Sequence, residues 1–299
     1  MRIGIDVGGT KIEAIALDED GTVLRRQRVA TPRGNYEATL DAVARLVQEV
    51  ESDLRRTGTI GIGLPGAISS RTGLLKNSNS TVLNGHAVHE DLARKLGRAI
   101  RTENDANCFA LSEAIDGAGA GHDIVFGVIL GTGVGGGLVV DRRCVVGRNR
   151  IAGEWGHNPL PWVRDEERPG PPCYCGRTGC IETFLSGDGL RRAYLAQTGS
   201  SRAGEEIAAA AQAGDEPAQE CLRTYQDRLA RSLAAIINVL DPDVVVLGGG
   251  LSNIDALYDG LGTHVGQYAF SDHLDTQFVR AVHGDSSGVR GAAWLWPHR

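Results

Sequence analysis

The chain has 299 residues, 41% of them apolar and 23% charged, a balance that suits a packed globular protein and excludes a disordered tail. Its 31 basic and 37 acidic residues leave a formal charge of −6, which disfavours nucleic acid as a partner. No apolar run reaches the ~18 residues of a membrane span, and the first residues enter a strand pattern without a signal-peptide stretch, so a cytoplasmic protein without a membrane partner is expected. Glycine is the outlier: its 41 residues are about twice the usual ~7% share and fall in short clusters between apolar runs.

Residues 2–7 and 12–17 read as two strands around Gly8-Gly9-Thr10, with a third strand from Val23 to Val29. Leu40, Val43, Leu46, Val47 and Val50 keep helical spacing over 36–56. A short strand, Thr59–Leu64, ends at Pro65-Gly66. A helix near 88–97 leads to a strand at 99–103 and a helix opening near Asp105. Val125–Leu130 is a strand, followed by the glycine-rich turn Gly131–Gly137 and a strand at Leu138–Val140. Shifting the sequence by 123 positions lays Gly8 on Gly131 and Asp18 on Asp141, which suggests a duplicated hairpin and two domains. Later the stripe Leu222, Tyr225, Leu229, Leu233, Ile236, Ile237, Leu240 predicts a long helix over 217–240. The strand Val244–Leu247, Gly248-Gly249-Gly250 and another helix follow. Strands that open each half and then alternate with helices imply an α/β protein with mixed sheets.

Three glycine clusters follow apolar strands: DVGGTK (Asp6–Lys11), LGTGVGGG (Leu130–Gly137) and LGGGLS (Leu247–Ser252). Glycine there lets backbone N–H groups line an anion-binding concavity, although for any one cluster taken alone a tight hairpin needing positive φ is the plainer explanation. Lys11 adds a mobile positive charge and Asp6 a carboxylate suited to hydrated Mg²⁺. No Walker loop is present. The G-x-G-x-x-G within Gly131–Gly136 lies in a strand–turn–strand unit, where a dinucleotide site requires a helix. His157, Cys173, Cys175 and Cys180 offer a Cys₃His set of the kind that holds structural zinc, whereas Cys108, Cys144 and Cys221 read as small buried hydrophobes. Asp105, in Glu103-Asn104-Asp105-Ala106-Asn107, sits where an N-cap or first-turn acid belongs.

In order and kind, the glycine motifs resemble the two phosphate loops and the adenosine loop of the superfamily of sugar kinases, actin and heat-shock ATPases. Glu154-x-x-His157 followed by Cys173-x-Cys175-x4-Cys180 resembles the ROK family of bacterial hexokinases, over essentially the whole chain. The stretch from Gly153 through CYCGRTGCIE is most similar to its fructokinases and mannokinases. The resemblance implies two RNase H-like α/β domains, residues 1–117 plus 287–299 and residues 118–286, with a cleft between them, and the segment 290–297 packing back on the first. It implies ATP and Mg²⁺ at Asp6, Gly8, Gly9, Thr10, Lys11, Gly131, Thr132, Gly133, Gly248, Gly249 and Gly250. The family's general base matches Asp105, whose carboxylate would take the proton of a primary sugar hydroxyl. Its sugar ligands match Asn79, Asn104, Glu154, His157 and Glu182, and its zinc loop ties the last three together. The implied activity is ATP-dependent phosphorylation of a hexose C6 hydroxyl, with fructose first among acceptors, then mannose, glucose and N-acetylglucosamine. A homodimer is implied by the same likeness. The family also contains silent sugar-sensing regulators, but those carry a helix-turn-helix domain before the first motif, where this sequence has five residues before Asp6.

Overall fold

The computed structural model describes residues 1–78, 80–284 and 287–297. In chain order the strands are β1 (Arg2–Val7), β2 (Lys11–Leu17), β3 (Val23–Ala30), β4 (Thr59–Leu64), β5 (Ala67–Ile68), β6 (Leu75–Lys76), β7 (Ile100–Asn104), β8 (Ile124–Leu130), β9 (Val134–Val140), β10 (Arg143–Cys144), β11 (Val244–Gly248) and β12 (Gln277–Arg280). The α-helices are α1 (Tyr36–Leu54), α2 (Val88–Leu96), α3 (Asp105–Asp116), α4 (Ile181–Leu185), α5 (Gly187–Thr198), α6 (Gly204–Gln212), α7 (Glu216–Leu240), α8 (Leu261–Gly266) and α9 (Ser287–Trp294). The chain divides into two compact units. The first holds Met1–Gly121, Gly137–Ala152 and the described residues from 287 onward; the second holds His122–Gly136 and Gly153–Gly284. The division expected at 118 placed 137–152 in the second domain, whereas by packing they group with the first.

The first sheet runs β3-β2-β1-β4-β7 and the second β10-β9-β8-β11-β12. In the first, β2 lies antiparallel to β1 and β3, while β4 is parallel to β1 and β7. In the second, β10 lies antiparallel to β9, and β11 is parallel to β8 and β12. The two sheets therefore share one strand order, and a shift of 123 positions lays β2 on β9 residue for residue. That corrects the expected start of β9 at Leu138: Gly135, Gly136 and Gly137 are strand, not turn. Gly136 and Gly137 are glycine because neighbours press on them. A Cβ at Gly136 would stand 2.7 Å from the Trp155 ring, and one at Gly137 would stand 2.7 Å from the Ala106 carbonyl oxygen.

Helix ends follow local chemistry. Asn35 caps α1 by accepting from the Ala38 N–H at 3.0 Å, and Asp215 caps α7 by accepting from Ala218. The helix expected after Gly250 is instead two 3₁₀ turns, Gly250–Asn253 and Asp255–Leu257. There the Ser252 N–H and hydroxyl both bond the Gly249 carbonyl, closing the chain at i+3 before an α-turn can form. The C-terminal segment packs back on the first unit as expected. α9 seats on β1, β4 and α3, and a Cβ at Gly61 would stand 1.8 Å from the Ala292 carbonyl oxygen. Ile3, Ile5, Ile60, Ile62, Val43 and Leu46 are buried in the core of this unit.

Candidate active site

Asp6 lies near the end of β1, opposite Glu13 on β2 and beside Gly63 on β4. Burial, then the negative charges of Asp105 and Glu13, push its carboxyl up to about 7, while Lys11 pulls it down. Asp6 and Asp105 thus feel one another within the first unit, a crowding of negative charge that a divalent cation would relieve. The turn after β1 is tied by the Gly8 N–H to the Lys11 carbonyl at 3.0 Å and braced by the Thr31 hydroxyl on the Gly8 carbonyl at 2.7 Å. Neither Gly8 nor Gly9 has a positive φ, but a Cβ on Gly8 would stand 2.8 Å from the Lys11 carbonyl oxygen, so the tight turn itself accounts for Gly8. A Cβ on Gly9 would meet no described atom within 4 Å. Neither handedness nor packing demands glycine there, and the bare backbone leaves room for a ligand.

Asp105 opens α3, but the cap is Asn104, whose Oδ1 accepts from the N–H groups of Ala106 at 2.8 Å and Asn107 at 3.2 Å. Asp105 is therefore the first-turn acid, exposed at the head of the helix. Asn104 also donates Nδ2 to the Gly66 carbonyl at 3.3 Å, so one of its amide hydrogens is left for a ligand. Beneath this turn Glu103 Oε1 accepts from the Asn104 N–H at 2.9 Å and Asn107 Nδ2 at 3.2 Å, and its other oxygen pairs with Arg150 at 3.3 Å. Sequence reasoning missed Glu103 and Arg150 as supports of the Asp105 turn. Asn79 lies outside the described residues.

In the second unit, Gly131, Thr132 and Gly133 form the tight turn between β8 and β9. The Gly131 N–H bonds the Gly133 carbonyl at 3.0 Å, and the Gly187 N–H bonds the Gly131 carbonyl at 2.8 Å. Glu182, in the first turn of α4, accepts from the Val134 N–H at 3.0 Å, and a Cβ on Gly133 would stand 2.7 Å from that carboxylate. Gly248 ends β11, Gly249 takes φ 83° under the Leu130 backbone, and Gly250 has open space above it. Gly250 also lines a cavity of about 620 Å³ walled by Ala208 and Gln212 of α6, Leu222 and Gln226 of α7, and Ile254.

His157, Cys173, Cys175 and Cys180 converge, their donor atoms all within 4.8 Å of one another. Nδ1 of His157 is 3.5 Å from Cys173 Sγ, and Cys175 Sγ is 3.7 Å from Cys180 Sγ. A disulfide needs about 2.05 Å, so these are thiols. A tetrahedral zinc with Zn–S near 2.3 Å sets its ligands about 3.5–3.8 Å apart, so the residues fit a closed Cys₃His site. The cluster gathers the sequence around it. Glu154 sits exposed at the start of the 3₁₀ turn Trp155–His157, and Glu182 Oε1 lies 4.0 Å from Cys173 Sγ. The other ring nitrogen of His157, Nε2, lies 3.0 Å from the hydroxyl of Tyr174, a contact that sequence reasoning did not anticipate. Tyr174 is 78% exposed overall, but the tip of its ring is crowded: desolvation, then the carboxylates of Glu182 and Glu154, push the phenol up to about 12. It is therefore a neutral hydroxyl at ordinary pH.

Residues 2–299 match the family model described as the ROK family. The chain is 43% identical to an N-acetyl-D-glucosamine kinase of Photobacterium profundum, with 99% of each chain covered. Among solved structures it is similar to a ROK hexokinase from Thermus thermophilus (30% identity, TM-score 0.87, 98% of this chain and 97% of that one). It is also similar to a ROK family glucokinase from Streptomyces griseus in complex with glucose and AMPPNP (30% identity, TM-score 0.77, 98% of each chain). Sequence motifs, the doubled sheet order and these likenesses agree: the chain belongs to the ROK family, among its sugar kinases.

Proposed function

We propose that the protein transfers the γ-phosphoryl group of ATP to the C6 hydroxyl of N-acetyl-D-glucosamine. The observation that carries the kinase reading is Asp105, an exposed carboxylate at the head of α3, close enough to the buried Asp6 to raise its pKa. Asp105 accepts the proton of the sugar hydroxyl and aims its oxygen at phosphorus. Asp6 suits the Mg²⁺ that accompanies ATP, and this ion supplies charge neutralisation. Lys11 and the amides of Gly9, Thr10, Thr132 and Gly133 hold phosphate oxygens, while Gly8 and Gly131, whose N–H groups close their own turns, shape the two loops. Gly248–Gly250 and the cavity against α6 and α7 take the adenosine.

Glu154, His157 and Glu182 hold sugar hydroxyls, joined by Asn104 and Asn79. Zinc on His157, Cys173, Cys175 and Cys180 is structural, because four protein ligands leave no open position for a reacting oxygen. The motif stretch around the zinc loop led to fructose. The 43% identity to N-acetyl-D-glucosamine kinase supports the amino sugar instead. The discriminating experiment is kcat/KM with Mg-ATP for N-acetylglucosamine, glucose, mannose and fructose. N-acetylglucosamine is expected to lead by at least tenfold, about 1.4 kcal/mol of transition-state discrimination. A lead by any other sugar overturns the acceptor assignment, and no ADP release with any of them overturns the kinase reading.

A further inference from the structure

Tyr174 lies between Cys173 and Cys175, two of the four converging candidate ligands, so a bound ion would staple its backbone on both sides and leave only its side-chain torsions free to move. Its ring stands edge-on to His157, with centroids 5.1 Å apart and planes at 85°. Its hydroxyl lies 3.0 Å from His157 Nε2. His157 turns Nδ1 toward Cys173, so Nε2 is the nitrogen left for any further hydrogen bond. That nitrogen is the one through which His157 would meet a sugar hydroxyl, and a phenol already occupies its partner position. With 78% of the residue exposed, little packing holds the ring in place.

We infer that the Tyr174 hydroxyl is a stand-in for a substrate hydroxyl at His157 Nε2, and that Tyr174 is a gate that swings aside when a sugar enters. The inference rests on the reading that His157 binds sugar. Entry exchanges one hydrogen bond for another at the same nitrogen. A sugar that brings a hydroxyl to that nitrogen restores what it displaces, whereas a sugar lacking it opens the gate without compensation.

The test is Tyr174→Phe, which keeps the ring against His157 and removes only the competing oxygen. A hydrogen bond of net worth about 1 kcal/mol corresponds to roughly fivefold in affinity. The sugar KM and the calorimetric Kd are therefore expected to fall about three- to tenfold, with kcat, the KM for ATP and the zinc content unchanged. The 2-, 3- and 4-deoxyglucoses locate the hydroxyl concerned. The deoxy sugar that lacks it binds wild type more weakly than its parent does, and that deficit is expected to be unchanged in the Phe variant, which binds both sugars more tightly by the same factor because both open the same gate. An unchanged sugar KM, or a raised one for every sugar, overturns the inference, the latter by making Tyr174 a sugar ligand itself. The underlying reading fails separately: wild type would then phosphorylate no hexose, or Glu154→Gln and Glu182→Gln would leave the sugar KM untouched.

Discussion

Asp105 shows how far a single motif carries and where it stops. The order Glu103-Asn104-Asp105-Ala106-Asn107 told of an acid at the start of a helix, and capping explained it as well as catalysis did. In the structure Asn104 accepts the cap bonds from Ala106 and Asn107, while Asp105 stands one residue inside, exposed, and shares the Ala106 N–H at 2.8 Å. The supports were not legible. Glu103 reads as an ordinary strand residue, and its ion-pair partner Arg150 lies 47 positions further on, joined only by the fold. Asp105→Asn should leave α3 intact, since Asn104 still caps the helix and the side-chain oxygen of an asparagine can keep the bond from the Ala106 N–H. Removing a general base lowers kcat by about 10²–10⁴, with sugar Kd within about threefold of wild type. Coupled ADP release and calorimetry on the purified variant measure both. A folded Asp105→Asn protein within tenfold of the wild-type rate removes Asp105 from this role.

At the level of elements, periodicity found the long helices and glycine pairs found the hairpins, but contacts between distant segments left no pattern. The clearest case joins the loop before the metal cluster to α7. Glu167 is buried and accepts from Arg228 at 2.8 Å, from Nη2 and Nη1 of Arg231 at 2.7 and 3.0 Å, and from the Arg164 N–H at 2.9 Å. Arg231 also donates to the carbonyls of Pro161 and Trp162. Burial by itself would raise the Glu167 carboxyl, but the bonds from Arg231, Arg164 and Arg228 outweigh it and hold the group at about 2. A folded-state pKa below the unfolded 4.5 gives stability that is complete above pH 4.5 and disappears as pH falls through about 2. Glu167→Gln leaves the buried Arg231 with Asp227, 3.0 Å from its Nε, as its remaining carboxylate partner, and should cost about 3 kcal/mol at pH 7. Urea unfolding of both proteins should show that gap constant from pH 7 to 5 and about 1 kcal/mol smaller by pH 3.5. A gap that is absent at pH 7, or that does not narrow in acid, would mean that the pair holds no net stability.

For the molecule as a whole, the most legible feature was duplication. A shift of 123 positions aligned two glycine turns in the sequence, and it aligns β2 with β9 in the fold. The Cys₃His set was legible too, because three thiols within eight residues and an upstream histidine have few other uses. What the spacing could not show is the way one cluster gathers Glu154, His157, Tyr174 and Glu182 around itself. If zinc acts only as that staple, its chemistry is replaceable while its presence is not. The purified protein should contain about one zinc per chain. Stripping it with a strong chelator should weaken sugar binding at least tenfold and open residues 157–182 to protease, with far-UV circular dichroism nearly unchanged. Reloading with Co²⁺ or Cd²⁺, which accept the same four ligands, should restore kcat to within about twofold, because a closed tetrahedral site offers no position for a reacting oxygen. Full activity in zinc-free protein would remove the staple. A kcat that follows the identity of the reloaded metal would instead place the ion in the chemistry.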